Sequence, residues 1–360
     1  MSPKVVIVGG GYGGSAAAKA LDAVADVTLV EPKDAFLHNV GALRAAVDSD
    51  FAPQIFLPYD HLLSRGRIVR DRAVRVEPGT VSLASGNALD ADYIVLATGS
   101  SYPFPAKSDL DDSSASLEKF GATQKQLTVA DKVLLLGAGP VGLEFAGEIK
   151  ARWPQKQVVI IDPAPSILSG YSDAFREEIL RQLDQLGVEL LLNDSLAQEP
   201  PTEVGTAGAF DVTTRSGAEV SAQVWFRAYG VTPASDYLSG SLAPARLDGG
   251  RVEVLPSLQV KGQTTVFALG DITDVAEPKR AGAAMRHAEV IAENITALIE
   301  GGKELTSYEP GPAAILLPLG PTGGATELPG GELLGPEVTA QYKGADLMVG
   351  RFSETFGLSG

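Results

Sequence analysis

The sequence of 360 residues contains no cysteine and only three histidines, His38, His61 and His287. The absence of cysteine excludes disulfides, thiolate nucleophiles, thiolate-bound zinc and iron–sulfur clusters. The three histidines are far apart in the sequence, so we predict no metal site. Chemistry that depends on a protein thiol is therefore excluded for this chain.

Long apolar runs and an excess of basic residues are missing as well. No apolar run approaches the ~18–20 residues of a membrane-spanning helix, and 45 acidic residues against 29 basic ones give a formal net charge of −16. A net acidic surface repels phosphate backbones and anionic lipids, so we expect neither nucleic acid nor a membrane surface as a partner. The N-terminus lacks a signal-peptide pattern, and Ser2 stands where N-myristoylation needs glycine. We therefore expect a cytoplasmic protein.

A glycine-rich loop lies near the start of the chain. Residues 4–8 predict a buried strand, Gly9, Gly11 and Gly14 follow in the spacing G-x-G-x-x-G, and residues 15–21 predict a helix. The next predicted strand ends in Glu31, about 20 residues after Gly11, where a ribose-binding acid is expected. Such a loop turns tightly at its first glycine, admits a pyrophosphate at its second and packs helix against strand at its third. The pattern predicts a dinucleotide site.

The same unit occurs a second time at residues 133–162. Gly137, Gly139 and Gly142 repeat the glycine spacing, and a predicted strand at 158–161 leads to Asp162. Duplication of a fold module is the simplest interpretation, and two glycine turns without a ligand are the alternative. Between this unit and residue 245, the pattern predicts an amphipathic helix at 173–186 and a hairpin of residues 210–214 and 220–226.

Two more strands stop at a glycine beside a small polar residue. Residues 93–96 lead to Thr98 and Gly99, and residues 266–269 lead to Gly270 and Asp271. In this order the four signals resemble those of the two-dinucleotide-binding-domain flavoproteins. Stretches 36–47, 142–150 and 277–288 are similar to the apoptosis-inducing-factor-like branch of that superfamily. The resemblance covers nearly the whole chain.

The resemblance implies an α/β fold with two Rossmann-like domains and a small α+β segment at the C-terminus. Residues 1–105 and 246–300 would bind FAD, residues 106–245 would bind NAD(P)H, and residues 301–360 would form a C-terminal interface segment, a candidate surface for a homodimer. The resemblance also implies an FAD-dependent NAD(P)H oxidoreductase that passes hydride from NADH to FAD and two electrons to a quinone-like acceptor or oxygen.

The absence of cysteine excludes one class of the superfamily, the disulfide reductases, because these enzymes need a cysteine pair beside the flavin. The electrons must therefore leave the flavin directly. Two alternatives stay open. One is a reductase of a small carrier protein of the ferredoxin or rubredoxin type, which the acidic net charge disfavours. The other is a non-catalytic flavoprotein that senses NADH.

In the FAD half, Glu31 is predicted to accept hydrogen bonds from the adenosine ribose. The resemblance implies that Asp271 accepts one from a ribityl hydroxyl and that Thr98 and Gly99 lie at the crossover between the domains. Arg44, in a predicted helix, is a candidate to neutralise the FAD pyrophosphate; a surface arginine is the alternative.

In the nicotinamide half, Asp162 predicts a preference for NADH over NADPH. A carboxylate accepts hydrogen bonds from both ribose hydroxyls and repels a 2′-phosphate. At an effective dielectric constant of ~20, two like charges ~4 Å apart repel each other by about 4 kcal/mol before relaxation. If Asp162 pointed to solvent instead, we would expect NADPH to serve as a substrate as well as NADH does.

Glu144 and Lys279 are the predicted catalytic residues. Glu144 lies in the first turns of the helix after the second loop, near the expected nicotinamide, although the helix dipole alone also favours an acid there. The resemblance implies that Lys279 lies by the flavin, and we expect the two side chains to form an ion pair over it. An exposed lysine is the alternative.

Two histidines remain. His287 lies on an apolar helix face, where we expect a buried residue rather than a proton donor to the acceptor. His38 is placed on one helix face with Ala42. It either lines the flavin region or has a structural role.

Overall fold

The computed structural model describes residues 2–312 and 314–358. Its strands are β1 (Lys4–Val8), β2 (Asp26–Val30), β3 (Ala35–Leu37), β4 (Phe56–Pro58), β5 (Arg67–Val69), β6 (Ala73–Glu77), β7 (Thr80–Leu83), β8 (Ala88–Asp90), β9 (Tyr93–Leu96), β10 (Ser100–Ser101), β11 (Lys132–Leu136), β12 (Gln157–Asp162), β13 (Val188–Leu192), β14 (Phe210–Thr213), β15 (Glu219–Ala222), β16 (Val224–Arg227), β17 (Thr232–Pro233), β18 (Val266–Ala268), β19 (Ile315–Leu319), β20 (Gly323–Glu327) and β21 (Leu333–Leu334).

The α-helices lie between and after these strands. They are α1 (Tyr12–Leu21), α2 (Ala42–Ala45), α3 (Ser113–Val129), α4 (Pro140–Arg152), α5 (Asp173–Gln185), α6 (Ala281–Ile299), α7 (Pro336–Thr339) and α8 (Val349–Thr355), with a π-helical turn at Ala340–Gly344. Across the described ranges, no helix combines the length and the apolar character needed to cross a membrane.

The first sheet is parallel, with strand order β18-β9-β1-β2-β5. Its central strands are short apolar runs whose side chains are buried on both faces, as in β1, where Val5 and Ile7 are fully buried. Parallel sheets need cover on both faces; α1 and α6 pack beside each other on one face, and strands β6 and β7 cover the other. The predicted α/β class is confirmed.

The second sheet is also parallel, with strand order β13-β12-β11-β16. The hairpin predicted over residues 210–214 and 220–226 is only half right. Strands β14 and β15 do pair antiparallel, but β16 leaves the hairpin and pairs parallel with β11. Val224, Trp225 and Phe226 are all buried. A strand buried on both faces suits a parallel sheet that is covered on both faces better than a half-exposed hairpin arm.

The C-terminal residues form an antiparallel sheet, β19-β20-β21, followed by α7, the π-helical turn and α8. This segment packs against both halves of its own chain. Leu319 lies so close to α4 that a Cβ atom at Gly147 would be 2.5 Å from the Leu319 Cα atom. Phe352 packs against Tyr12 and Phe36 beside the first sheet. Dimer formation through the segment and the exact domain boundaries stay predictions.

Candidate functional site

Strand order brings the signals of the first half to one edge of the first sheet. Neighbouring parallel strands end at the same edge. Asp271 follows β18, Thr98 and Gly99 follow β9, the first glycine loop follows β1, and Glu31 follows β2. Residues more than 200 positions apart in sequence therefore meet in the order that the sheet dictates.

The first glycine loop has two tight positions and one open position. Gly9 has φ +104°, and a Cβ atom there would lie 2.6 Å from the Ala97 carbonyl oxygen; at Gly14 it would lie 1.8 Å from the Gly9 oxygen. At Gly11 it would meet nothing within 4 Å, and no side chain among the described residues caps the first turn of α1. The loop therefore leaves room and free backbone amides for a phosphate, which is what FAD requires.

Glu31 lies beside this loop and is buried. Its carboxylate accepts hydrogen bonds from the Gly10 amide at 2.6 Å and from the Lys33 amide at 3.0 Å. Burial raises the pKa of Glu31, and the two amides partly oppose this shift. The carboxylate is thus held against the loop at the place where a ribose is expected.

Asp271 has two partners that the sequence reasoning missed. Its carboxylate accepts hydrogen bonds from the Ser100 hydroxyl at 2.5 Å and from the Lys107 ammonium at 3.2 Å. Ser100 directly follows the Thr98–Gly99 signal, but Lys107 lies seven positions further along the chain. The structure brings both to Asp271 because β9 and β18 are neighbours. Thr98 itself donates to the Ala234 carbonyl oxygen and bonds to the Tyr237 hydroxyl.

The second loop repeats the geometry of the first. Gly137 has φ +113°, and a Cβ atom there would lie 2.9 Å from the Ala228 oxygen; at Gly142 it would lie 1.9 Å from the Gly137 oxygen. At Gly139 it would meet nothing within 4 Å. The second loop therefore has the same open position over the N-terminus of its helix, α4.

Asp162 corresponds to Glu31 in this repeat. Its carboxylate accepts hydrogen bonds from the Ala138 amide at 2.6 Å and from the Ala164 amide at 2.7 Å. Ala138 occupies the same place in the second loop as Gly10 does in the first. The carboxylate does not point away into solvent; it lies against the loop.

The predicted ion pair between Lys279 and Glu144 is wrong. Glu144 pairs instead with Lys343, whose ammonium lies 2.8 Å from the carboxylate and also donates to the Leu316 carbonyl oxygen. Both side chains are only 15% exposed. Lys279 donates instead to the Val275 carbonyl oxygen and lies near Asp271. Of these two lysines, Lys279 is closer to Glu144 in the sequence. The fold of the C-terminal segment, however, brings Lys343 to α4.

The role proposed for Arg44 at the FAD pyrophosphate is contradicted too. Its guanidinium forms two hydrogen bonds with Glu148, at 2.8 and 3.0 Å, and two more with the carbonyl oxygens of Gly344 and Ala345. Arg44 and Glu148 are 8% and 5% exposed. Arg44 is therefore neither a surface residue nor free for a phosphate. It joins α2, α4 and the turn that carries Lys343.

His38 does not lie on a helix face with Ala42, because it stands between β3 and a short 3-10 helix. Its ring bonds to the Leu347 carbonyl oxygen at 2.7 Å and to the Tyr12 hydroxyl at 3.1 Å. The residue is fully buried, and burial lowers its pKa. Of the two interpretations, the structure gives His38 the contacts of a structural residue that connects the first loop with the C-terminal segment.

Two parallel sheets, each with a glycine loop and an acid at the carboxyl ends of its strands, define a two-nucleotide oxidoreductase fold. Residues 3–288 match the family model described as pyridine nucleotide-disulphide oxidoreductase, and the chain belongs to that family.

Relatives and a solved structure agree with this assignment. Apoptosis-inducing factor homolog B of Dictyostelium discoideum is 31% identical, covering 97% of this chain and 95% of that protein. Ferroptosis suppressor protein 1 of Taeniopygia guttata is 33% identical, covering 99% and 96%. The crystal structure of a ferredoxin reductase from Rhodopseudomonas palustris has the same fold, with a TM-score of 0.69 and 19% identity over 87% of this chain and 79% of that one. The resemblance to the apoptosis-inducing-factor-like branch is confirmed.

The family and the relatives make this chain an FAD-dependent oxidoreductase that uses a nicotinamide nucleotide and an electron acceptor. The two open loop positions and the free helix N-terminus fit such cofactors. The family name refers to disulphide chemistry, but this chain has no cysteine. No thiol pair of its own can take part in electron transfer.

Proposed function

We propose that this chain is an NADH-dependent reductase of a quinone-like small molecule. FAD, when bound at the first loop, would accept hydride from NADH at the second loop and supply two electrons to the acceptor. The relatives named as ferroptosis suppressor protein 1 and apoptosis-inducing factor homologues support this class of reaction. The absence of cysteine supports direct transfer to a diffusing acceptor.

The observation that carries the proposal is the Lys343–Glu144 pair. Glu144 lies in the second turn of α4, the helix that follows the second glycine loop. Lys343 keeps the Glu144 carboxylate in one orientation, where we propose that it contacts the nicotinamide ribose or carboxamide. The Lys343 ammonium is buried enough to stabilise negative charge that develops on the acceptor. The protein thus contributes positioning and electrostatics.

The test is an anaerobic stopped-flow experiment with the purified flavoprotein, NADH and then a soluble quinone. We expect NADH to bleach the flavin absorbance near ~450 nm, and the quinone to restore it quickly. Bleaching without recovery on quinone would contradict a quinone-like acceptor. It would favour one of the alternatives, a reductase of a carrier protein or a flavoprotein that senses NADH. No bleaching would contradict the assignment of the second loop.

Replacing Lys343 with methionine tests the role of the charge pair. The change keeps most of the side-chain volume but removes the ammonium, so Glu144 loses its fixed orientation. We expect flavin reduction by NADH to slow roughly 10- to 100-fold, with the FAD content unchanged. Stopped-flow reduction rates and the ratio of flavin to protein measure the two effects.

Lys303→Met is the matched control, because Lys303 is an exposed lysine of the same C-terminal segment. It loses the same charge, and we expect wild-type rates. If Lys343→Met reduces its flavin as fast as Lys303→Met does, the pair has no role in hydride transfer.

Replacing Asp162 with alanine tests the preference for NADH. The variant loses the carboxylate that would bind the ribose hydroxyls and repel a 2′-phosphate. Even a quarter of the ~4 kcal/mol repulsion, about 1 kcal/mol, amounts to roughly fivefold discrimination, so the ratio of kcat/KM for NADH to that for NADPH should fall about fivefold or more. Steady-state kinetics with both nucleotides measure the ratio.

Asp184→Ala provides the control, since Asp184 is an exposed acid on α5 and its removal changes the net charge equally. An unchanged ratio in Asp162→Ala would show that Asp162 does not select the nucleotide.

A further inference from the structure

A buried cluster of polar side chains lies behind the Asp271 turn, and the proposed mechanism does not use it. The His287 ring is 1% exposed and its Nε2 lies 2.7 Å from Glu277 Oε1. The Tyr308 hydroxyl donates to the same carboxylate at 2.8 Å, and the half-exposed Arg286 lies 3.5 Å from it. The cluster joins α6, the loop before it and the C-terminal segment.

The other side of the His287 ring faces the turn that carries Asp271. The Gly270 amide donates to His287 Nδ1 at 3.1 Å, and the Thr273 hydroxyl donates to the Gly270 carbonyl oxygen at 2.9 Å. His287 and Thr273 are both buried. Gly270 has φ +69°, a conformation that only glycine adopts without strain. The amide and the carbonyl oxygen of Gly270 are therefore both hydrogen-bonded to buried side chains.

These contacts determine which ring nitrogen of His287 carries the proton. Nδ1 must accept, because a backbone amide can only donate, so the single proton of a neutral ring lies on Nε2 and points to Glu277. Burial lowers the pKa of His287 and thereby favours the neutral ring. Glu277, held by Tyr308, keeps the ring in this orientation.

We propose that His287 is a positioning residue for FAD: its Nδ1 holds the Gly270 amide and so fixes the backbone turn from which Asp271, itself held by Ser100 and Lys107, would contact the ribityl chain. Glu277 and Tyr308 set the orientation of the ring. The inference rests on the proposed position of FAD at the first loop. It also means that Tyr308 of the C-terminal segment supports the flavin site from a distance.

Two substitutions separate the two sides of the ring. In His287→Asn the amide oxygen takes the place of Nδ1, so the acceptor for Gly270 is kept and the contact with Glu277 is lost. In His287→Gln the amide nitrogen takes the place of Nε2, so the contact with Glu277 is kept and the acceptor is lost. FAD release from the holoprotein is followed by flavin fluorescence after dilution, and the thermal unfolding midpoint is recorded for each variant.

We expect His287→Gln to release FAD roughly tenfold faster than the wild type, as loss of one buried hydrogen bond predicts, and His287→Asn to stay within about twofold. Equal release by the two variants would overturn the positioning role. A wild-type chain that binds no FAD would instead overturn the proposed function.

A second measurement needs no variant and covers the case in which His287→Gln does not fold. Hydrogen exchange of the holoprotein, resolved to the Gly270 amide, should show strong protection, because the amide donates to a buried ring nitrogen. Exchange at the rate of an open loop would overturn the inference.

Discussion

Replacing Arg44 with methionine is expected to lower the free energy of unfolding by about 3–5 kcal/mol at pH ~8. Arg44 makes two hydrogen bonds to Glu148 and holds the carbonyl oxygens of Gly344 and Ala345. Removal of one partner of a buried ion pair leaves the other charge without compensation in a medium of low dielectric constant. Chemical denaturation of the wild type and the variant measures the difference.

The pH dependence of this loss identifies its cause. Burial raises the pKa of Glu148, and Arg44 opposes the shift. In the variant only the raising effect remains, so the folded state binds a proton that the unfolded state releases near its ordinary pKa. Stability that depends on such a proton increases as the pH falls. We therefore expect the loss to shrink between pH ~8 and pH ~5.

The double variant Arg44→Met/Glu148→Gln is the control for the unpaired charge. Because a neutral amide needs no cation, it should recover much of the stability lost in Arg44→Met, and its remaining loss should not shrink as the pH falls from ~8 to ~5. A loss below about 1 kcal/mol in Arg44→Met at pH ~8, typical of an exposed pair, would contradict the structural role assigned to Arg44.

Replacing Gly139 with valine is expected to reduce flavin reduction by NADH on the order of a hundredfold or more while leaving FAD bound. Gly139 has φ −73° and ψ 178°, an extended conformation open to any residue, and a Cβ atom there meets nothing within 4 Å. The fold should therefore accept valine. The side chain would occupy the space through which a pyrophosphate reaches the backbone amides of α4.

Valine substitutions at two other glycines serve as controls. Gly121 on α3 is equally open but lies outside both loops, so Gly121→Val should reduce its flavin at the wild-type rate. Gly142 is tight against the Gly137 oxygen, so Gly142→Val should disturb the fold itself and shift the unfolding midpoint. Stopped-flow rates, flavin content and unfolding midpoints are measured for the three variants. Full-rate reduction in Gly139→Val would show that the second loop does not bind the nucleotide.

The parts of the site that were predicted correctly involve residues close together in the sequence, whereas the parts that were predicted wrongly involve residues far apart. The glycine loops and their acids were predictable because strand, turn, helix and acid are consecutive, and their spacing alone sets the geometry of the loop. The charge partners were not. Lys343 lies 199 positions from Glu144, and Glu148 lies 104 positions from Arg44. Nothing near either residue distinguishes its true partner from other residues of the right charge.

Strand β16 and His38 show the same limit for the fold. The run of residues 220–226 is compatible with a hairpin arm, and burial of both faces in the second sheet decides that residues 224–227 join β11 instead. His38 receives its role from Leu347, which only the packing of the C-terminal segment brings near. Local spacing was sufficient for the two nucleotide sites and the α/β class, because backbone turns and alternating elements are local. Tertiary packing decided which charges meet, because a buried charge takes the partner that the fold brings within reach.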